Sequence, residues 1–175
     1  YRNTSNNPGT SNRTVTYTVT DASGGTSNDA RVISVTAAND APTISIDAST
    51  LAYTENDAAT QIDAAATSSD ADGDADWNTG TLVVQMTGNN EAADELSILD
   101  NVVGSINTDG TNLQDGATVI GTLSSSEGTV TDGTALTITL NSNATNALVQ
   151  EVVRAIHYRN TSNNPGTSNR TVTYT

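Results

Sequence analysis

The chain has 175 residues and a net charge of −14, with 20 Asp and Glu against 6 basic residues, all of them Arg. So acidic a balance lacks the basic footprint that a nucleic-acid partner requires, and with no cysteine neither disulfides nor thiolate metal sites can form. No apolar run approaches the ~18 residues of a membrane span and the start is not signal-like, so this stretch is expected to carry no membrane span. Phe is absent and Trp77 stands alone, so the core must come from Val, Ile, Leu, Ala and Thr. The length allows a sizeable one.

The first eighteen residues, YRNTSNNPGTSNRTVTYT, recur without a change as residues 158–175, an offset of 157. A period this long suits one complete domain per repeat. Even loop positions such as Asn6, Asn7 and Ser11 are identical, as expected of recent or homogenised copies in a tandem array within a longer gene. In RTVTYTVT, Val15, Tyr17 and Val19 take one face and Thr14, Thr16, Thr18 and Thr20 the other, the pattern of a half-buried strand. A second strand is expected over residues 30–37. It runs into Ala38-Asn39-Asp40-Ala41-Pro42, where Pro42 interrupts backbone donation. Residues 1–40 then read as the C-terminal strands of a preceding module, and residues 41–175 as most of the next.

Further strands are expected over 43–47, 81–87, 96–99, 117–123 and 134–141. Asp109-Gly110, Asp115-Gly116 and Asp132-Gly133 favour tight turns over metal binding. Over 145–157, Leu148, Val149, Val152, Val153 and Ile156 recur at helical spacing, with Asn146, Gln150, Glu151 and Arg154 elsewhere on the wheel. His157, the sole histidine, closes this pattern and reads as structural. Many short strands with one helical insert point to an all-β, two-sheet sandwich with the helix plugging one edge.

Fifteen of the twenty acids are Asp, and they cluster. Clustered carboxylates repel unless a cation sits among them; a solvated acidic surface is the alternative. Ser69-Asp70-Ala71-Asp72-Gly73-Asp74-Ala75-Asp76 places four carboxylates at every second position, on one side of an extended loop, with Gly73 free to turn the backbone around an ion. Calcium takes six to eight oxygens from carboxylates, carbonyls and water, and this segment supplies several. It is no EF-hand, because the glycine is fourth in the loop and the twelfth residue is Thr81. Nor does it read GGxGxD in series, as calcium-binding β-helices do.

Four motifs in order carry a resemblance: AANDAP is similar to the cadherin linker signature, TENDA to the xEN motif, SSDADGD to the DAD loop, and VTDASGG to the acidic loop before the last strand. With ALVQEVVRAIHYRNTSNNPGTSNRTVTYTVTD, the chain resembles cadherin-like extender repeats of giant bacterial RTX-type surface adhesins. The resemblance covers the ends and loops, and covers residues 89–142 less distinctly. It implies an Ig-like Greek-key β-sandwich with Ca2+ at module junctions. Carried over, Asn39 and Asp40 are linker ligands, Asp70 and Asp72 belong to the top of the following module, Asp21 lies in the equivalent loop of the preceding one, and Glu55 reaches the junction from the opposite end; Asp74 is a further candidate calcium ligand. Loop hydrogen bonding is the alternative role for these side chains. The linker reads AAND where the family has a fuller DxNDN.

The expected function is therefore that of a structural, calcium-stiffened spacer in an exported adhesin at the bacterial cell surface, supporting adhesion and biofilm formation. Neighbouring identical modules are the expected partners. A ligand- or glycan-binding module of the same kind of surface protein is the alternative. Catalysis is not expected, since one His with no Cys or Lys leaves a nucleophile and base little to draw on. Residues 38–42 extend only about 17 Å at ~3.4 Å each, against roughly 40 Å for a module with strands of about twelve residues. Residues 1–40 are thus expected to complete a neighbouring chain's module by head-to-tail strand exchange.

Overall fold

Alternation in RTVTYTVT produces a strand, β1 (Arg13–Thr20), in the computed structural model, which describes residues 1–175 throughout. It pairs antiparallel with β2 (Thr26–Ile33), from Thr20 opposite Thr26 to Arg13 opposite Ile33. This two-stranded sheet belongs to a unit spanning Tyr1–Ala41, distinct from a larger unit spanning Pro42–Thr175. The strand expected over residues 30–37 lies earlier than that, because pairing is set by the turn at Asp21 and ends where β1 ends, at Arg13. Residues 34–37 carry no regular structure.

The larger unit holds β3 (Thr43–Ser45), β4 (Thr60–Gln61), β5 (Thr67–Ser69), β6 (Thr81–Gly88), β7 (Asp94–Ile98), β8 (Ile106–Asp109), β9 (Asn112–Asp115), β10 (Thr118–Leu123), β11 (Thr129–Thr131), β12 (Leu136–Leu140), α1 (Asn146–Arg154), β13 (Ile156–Asn160) and β14 (Thr171–Tyr174). One sheet runs β14-β6-β12-β10-β9-β8 and a second β11-β7-β13-β4, while β3 and β5 pair separately; every pairing is antiparallel. The unit is thus all-β with one short helix.

Period-two burial builds the core. Leu82, Val84 and Met86 of β6 and Leu136, Ile138 and Leu140 of β12 face inward from the six-stranded sheet. They share one apolar cluster with Leu96 and Ile98 of β7, Val130 of β11 and Ile156 of β13 from the four-stranded sheet, which is how two sheets bury their apolar faces. Gly121, beside an irregularity in the β9–β10 pairing, lets β10 approach β12, since a Cβ there would lie 2.6 Å from the Thr139 carbonyl oxygen.

Thr145 caps α1, its hydroxyl accepting from the Leu148 N–H at 3.2 Å, and Val149, Val152 and Val153 are buried. The helix stops at Arg154, short of the expected 157. Ile156 and His157 instead pair in β13 opposite Ile98 and Ser97. Their apolar spacing continues the helical pattern because strand and helix bury into the same core. His157 is buried, its Nδ1 2.7 Å from the Ala155 carbonyl oxygen, a structural placement.

The three Asp-Gly pairs all turn the chain. Gly110 (φ 61°) and Gly116 (φ 58°) sit in the two-residue loops of the β8–β9 and β9–β10 hairpins. Asp132 (φ 54°) and Gly133 (φ 69°) form a turn closed by the Thr134 N–H donating to the Thr131 carbonyl at 2.9 Å. Two central residues at positive φ are the type I′ pattern, which Asp-Gly favours.

The repeated segment is fastened by Asp94, a buried carboxylate on β7. It accepts from the Tyr158 hydroxyl (2.7 Å), Asn160 Nδ2 (2.6 Å), the Glu91 N–H (2.7 Å) and Arg170 Nε (3.1 Å). Arg170 also pairs with Glu91 at 2.9 Å. Burial pushes the Asp94 pKa up, but the four donors outweigh it and hold the group below the ordinary carboxylate value. Burial, then the hydrogen bond to this carboxylate, raises the Tyr158 phenol.

Candidate metal centre

The acidic run does not stay extended. After β5 the chain turns, with the Gly73 N–H donating to the Asp70 carbonyl at 3.3 Å, and Gly73 takes φ 94°, a conformation open to glycine at little cost. Asp74–Trp77 then forms a single 3-10 turn. The winding breaks the every-second-residue arrangement and brings Asp76 back toward Asp70 and Asp72.

Asn146, the first residue of α1, fastens this loop. Its Oδ1 accepts from the Asp70 N–H (2.6 Å) and from Trp77 Nε1 (3.0 Å), and its Nδ2 donates to the Asp70 carbonyl (3.1 Å). Its own N–H donates to Asp74 Oδ1 at 2.8 Å, placing a carboxylate at the positive end of the helix dipole. Asp70 is buried and its Oδ1 accepts the Asp72 N–H at 2.8 Å.

Carboxylate oxygens of Asp70, Asp72 and Asp76 lie within 4.8 Å of one another. Oxygens sharing one calcium ion at 2.3–2.6 Å are separated by up to about 5 Å, so the spacing fits. All three donors are hard oxygens, which suits calcium or magnesium over softer metals. Carbonyls and water would supply the rest of a calcium shell.

Of the sequence-predicted ligands, the structure therefore brings together Asp70 and Asp72. Asp74 is drawn to the helix start instead, and Asp76 joins the cluster in its place. Asp21 closes the β1–β2 turn, its Oδ1 accepting the N–H groups of Ser23 and Gly25, each at 2.8 Å. Asn39 donates to the Asp40 carbonyl at 3.2 Å, and both residues are exposed. Glu55 is exposed in the turn closed by the Asp57 N–H and the Thr54 carbonyl at 3.1 Å, outside the convergent cluster. Asp76 was visible as one of four spaced carboxylates, but choosing it over Asp74 required the 3-10 turn. Asn146 left no signal in the sequence beyond its place at a helix start.

No protein-family model, curated protein or solved structure matches the chain. No helix is long and apolar enough to cross a membrane.

Proposed function

We propose that the chain is a calcium-binding extender module of a tandemly repeated bacterial surface adhesin, with a mechanical role in cell adhesion and biofilm formation. The observation that carries this reading is the convergence of Asp70, Asp72 and Asp76 on a loop fastened to the core by Asn146. The perfect 18-residue repeat and the charge of −14 support it: identical copies suit length, and a carboxylate-rich surface gains from bound cations. In this reading neighbouring identical modules are the partners, and Asp21, Asn39, Asp40 and Glu55 would contribute at junctions between them, where calcium stiffens the array.

An ion bound only by the folded loop stabilises it by RT ln(1 + [L]/Kd), about 2.7 kcal/mol at a hundredfold excess over Kd, and extracellular modules bind calcium at roughly 10⁻⁴ to 10⁻³ M. Calorimetry of the full chain with millimolar calcium should show a melting temperature that falls on adding EDTA. Asp72→Asn or Asp76→Asn should weaken the calcium response about tenfold or more, whereas Asp74→Asn should lower stability through the helix start and leave calcium affinity in place. Identical melting curves with calcium and with EDTA would sink the proposal. In a protein of two consecutive repeats, small-angle scattering should show a longer maximum dimension with calcium than with EDTA.

A further inference from the structure

The outer edge of β14 is unpaired in the six-stranded sheet, yet the molecule contains a strand already matched to it. Thr175 exchanges both hydrogen bonds with Val83, at 2.7 and 2.9 Å. By the alternation of an antiparallel ladder, Thr173 also bonds toward β6, so the N–H and C=O groups of Val172 and Tyr174 point outward.

Thr14–Tyr17 of β1 has the same sequence as Thr171–Tyr174 of β14. At the closed end of the first hairpin the Asp21 N–H donates to the Gly25 carbonyl at 2.9 Å. Counting back by twos, Val19, Tyr17 and Val15 bond toward β2, and Thr18, Thr16 and Thr14 point away. Copies of these threonines in β14 are the ones turned to β6. One sequence thus pairs through opposite edges in its two settings, and the two pairings are compatible on a single strand.

We infer that the outer edge of β14 accepts Thr26–Ile33 of a second copy of this chain, antiparallel, with Val172 opposite Arg31, Thr173 opposite Ala30 and Tyr174 opposite Asp29. The donor strand leaves its own β1 and meets the same side chains in the same register. It exchanges a two-stranded sheet, a pairing marginal in water by itself, for a place on a sheet whose Val172 and Tyr174 pack against the core. In β1 the matching Tyr17 is 64% exposed. Exchange also covers an open edge, which folded proteins commonly protect. The argument rests on register and edge polarity and is independent of calcium.

The absence of cysteine permits a direct test. Thr16 and Ala30 form a non-hydrogen-bonded pair, the kind whose side chains lie closest, so the inferred Thr173–Ala30 pair is within disulfide reach. A30C and T173C proteins, purified separately and mixed under mild oxidation in EDTA, should form a heterodimer on a non-reducing gel. N28C, two residues out of register on the same face, should give about tenfold less with T173C. Asp29→Pro in the A30C background removes an N–H that β14 would accept and should abolish the heterodimer. No heterodimer, equal yield from N28C, or a link that survives Asp29→Pro would overturn the inference.

Discussion

Residues 1–18 and 158–175 are the same peptide in two environments. In both, the Asn side chain of the Tyr-Arg-Asn triplet accepts from the Ser two residues on, at 2.9 Å for Asn3–Ser5 and 2.7 Å for Asn160–Ser162. The serine in turn accepts from the next Asn, at 3.2 Å in Ser5–Asn7 and 3.0 Å in Ser162–Asn164. Both copies also form a strand over their Thr-Val-Thr-Tyr run. Their long-range partners differ. Tyr158 and Asn160 reach Asp94, while Tyr1 is 70% exposed and Asn3 donates, at 3.5 Å, to the Tyr1 hydroxyl. Arg170 bridges Asp94 and Glu91, while Arg13 donates to the nearby Ser11 carbonyl. The comparison separates what eighteen residues do alone from what a folded module adds.

Matched substitutions in the two copies can break that comparison. Arg170→Ala removes the countercharge of a buried carboxylate and should cost about 3 kcal/mol. Arg13→Ala should stay within about 0.5 kcal/mol, as ordinary surface changes do. Urea denaturation of the full chain followed by circular dichroism measures both, and equal losses would show that the first copy is as firmly packed as the second. Next in size, Tyr158→Phe deletes one donor to a charged acceptor and should cost about 1.5–3 kcal/mol, with Tyr1→Phe close to neutral.

The smallest effect is expected from pH. The folded-state pKa of Asp94 is depressed, so its contribution to stability is complete above the ordinary carboxylate pKa of about 3.9 and is lost as pH falls through the folded value. A carboxyl-carbon NMR titration should place its midpoint below the ordinary carboxylate value of about 3.9. A midpoint at or above it would mean that burial outweighs the four donors.

Much of the β architecture was legible where side-chain period and strand coincide, as in β6 and β12. Polar strands such as β8 (INTD) and β9 (NLQD) lacked that signal, and their tight Asp-Gly hairpins hold them in the sheet. The helix limit failed at Ile156 because burial alone does not distinguish the last helical turn from the first strand residues. At the candidate metal centre, Asp70 and Asp72 were readable from the Asp-Ala-Asp-Gly-Asp spacing. The replacement of Asp74 by Asp76 was not, because it depends on Asn146, some seventy positions away in the chain.

What the sequence by itself determined is the repeat, the Asx and serine turns common to both copies, the extended Thr-Val-Thr-Tyr runs and the Asp-Gly turns. Each of these rests on sterics or on hydrogen bonds between residues two to four apart, which chain connectivity already brings close. Tertiary structure alone decided which edge of the repeated strand is used, β2 for Val15 and Tyr17 or β6 for Thr173 and Thr175. It also decided that Asp94 collects four donors and that three particular carboxylates converge. Those outcomes depend on groups brought together from distant positions, which the eighteen-residue peptide does not itself specify.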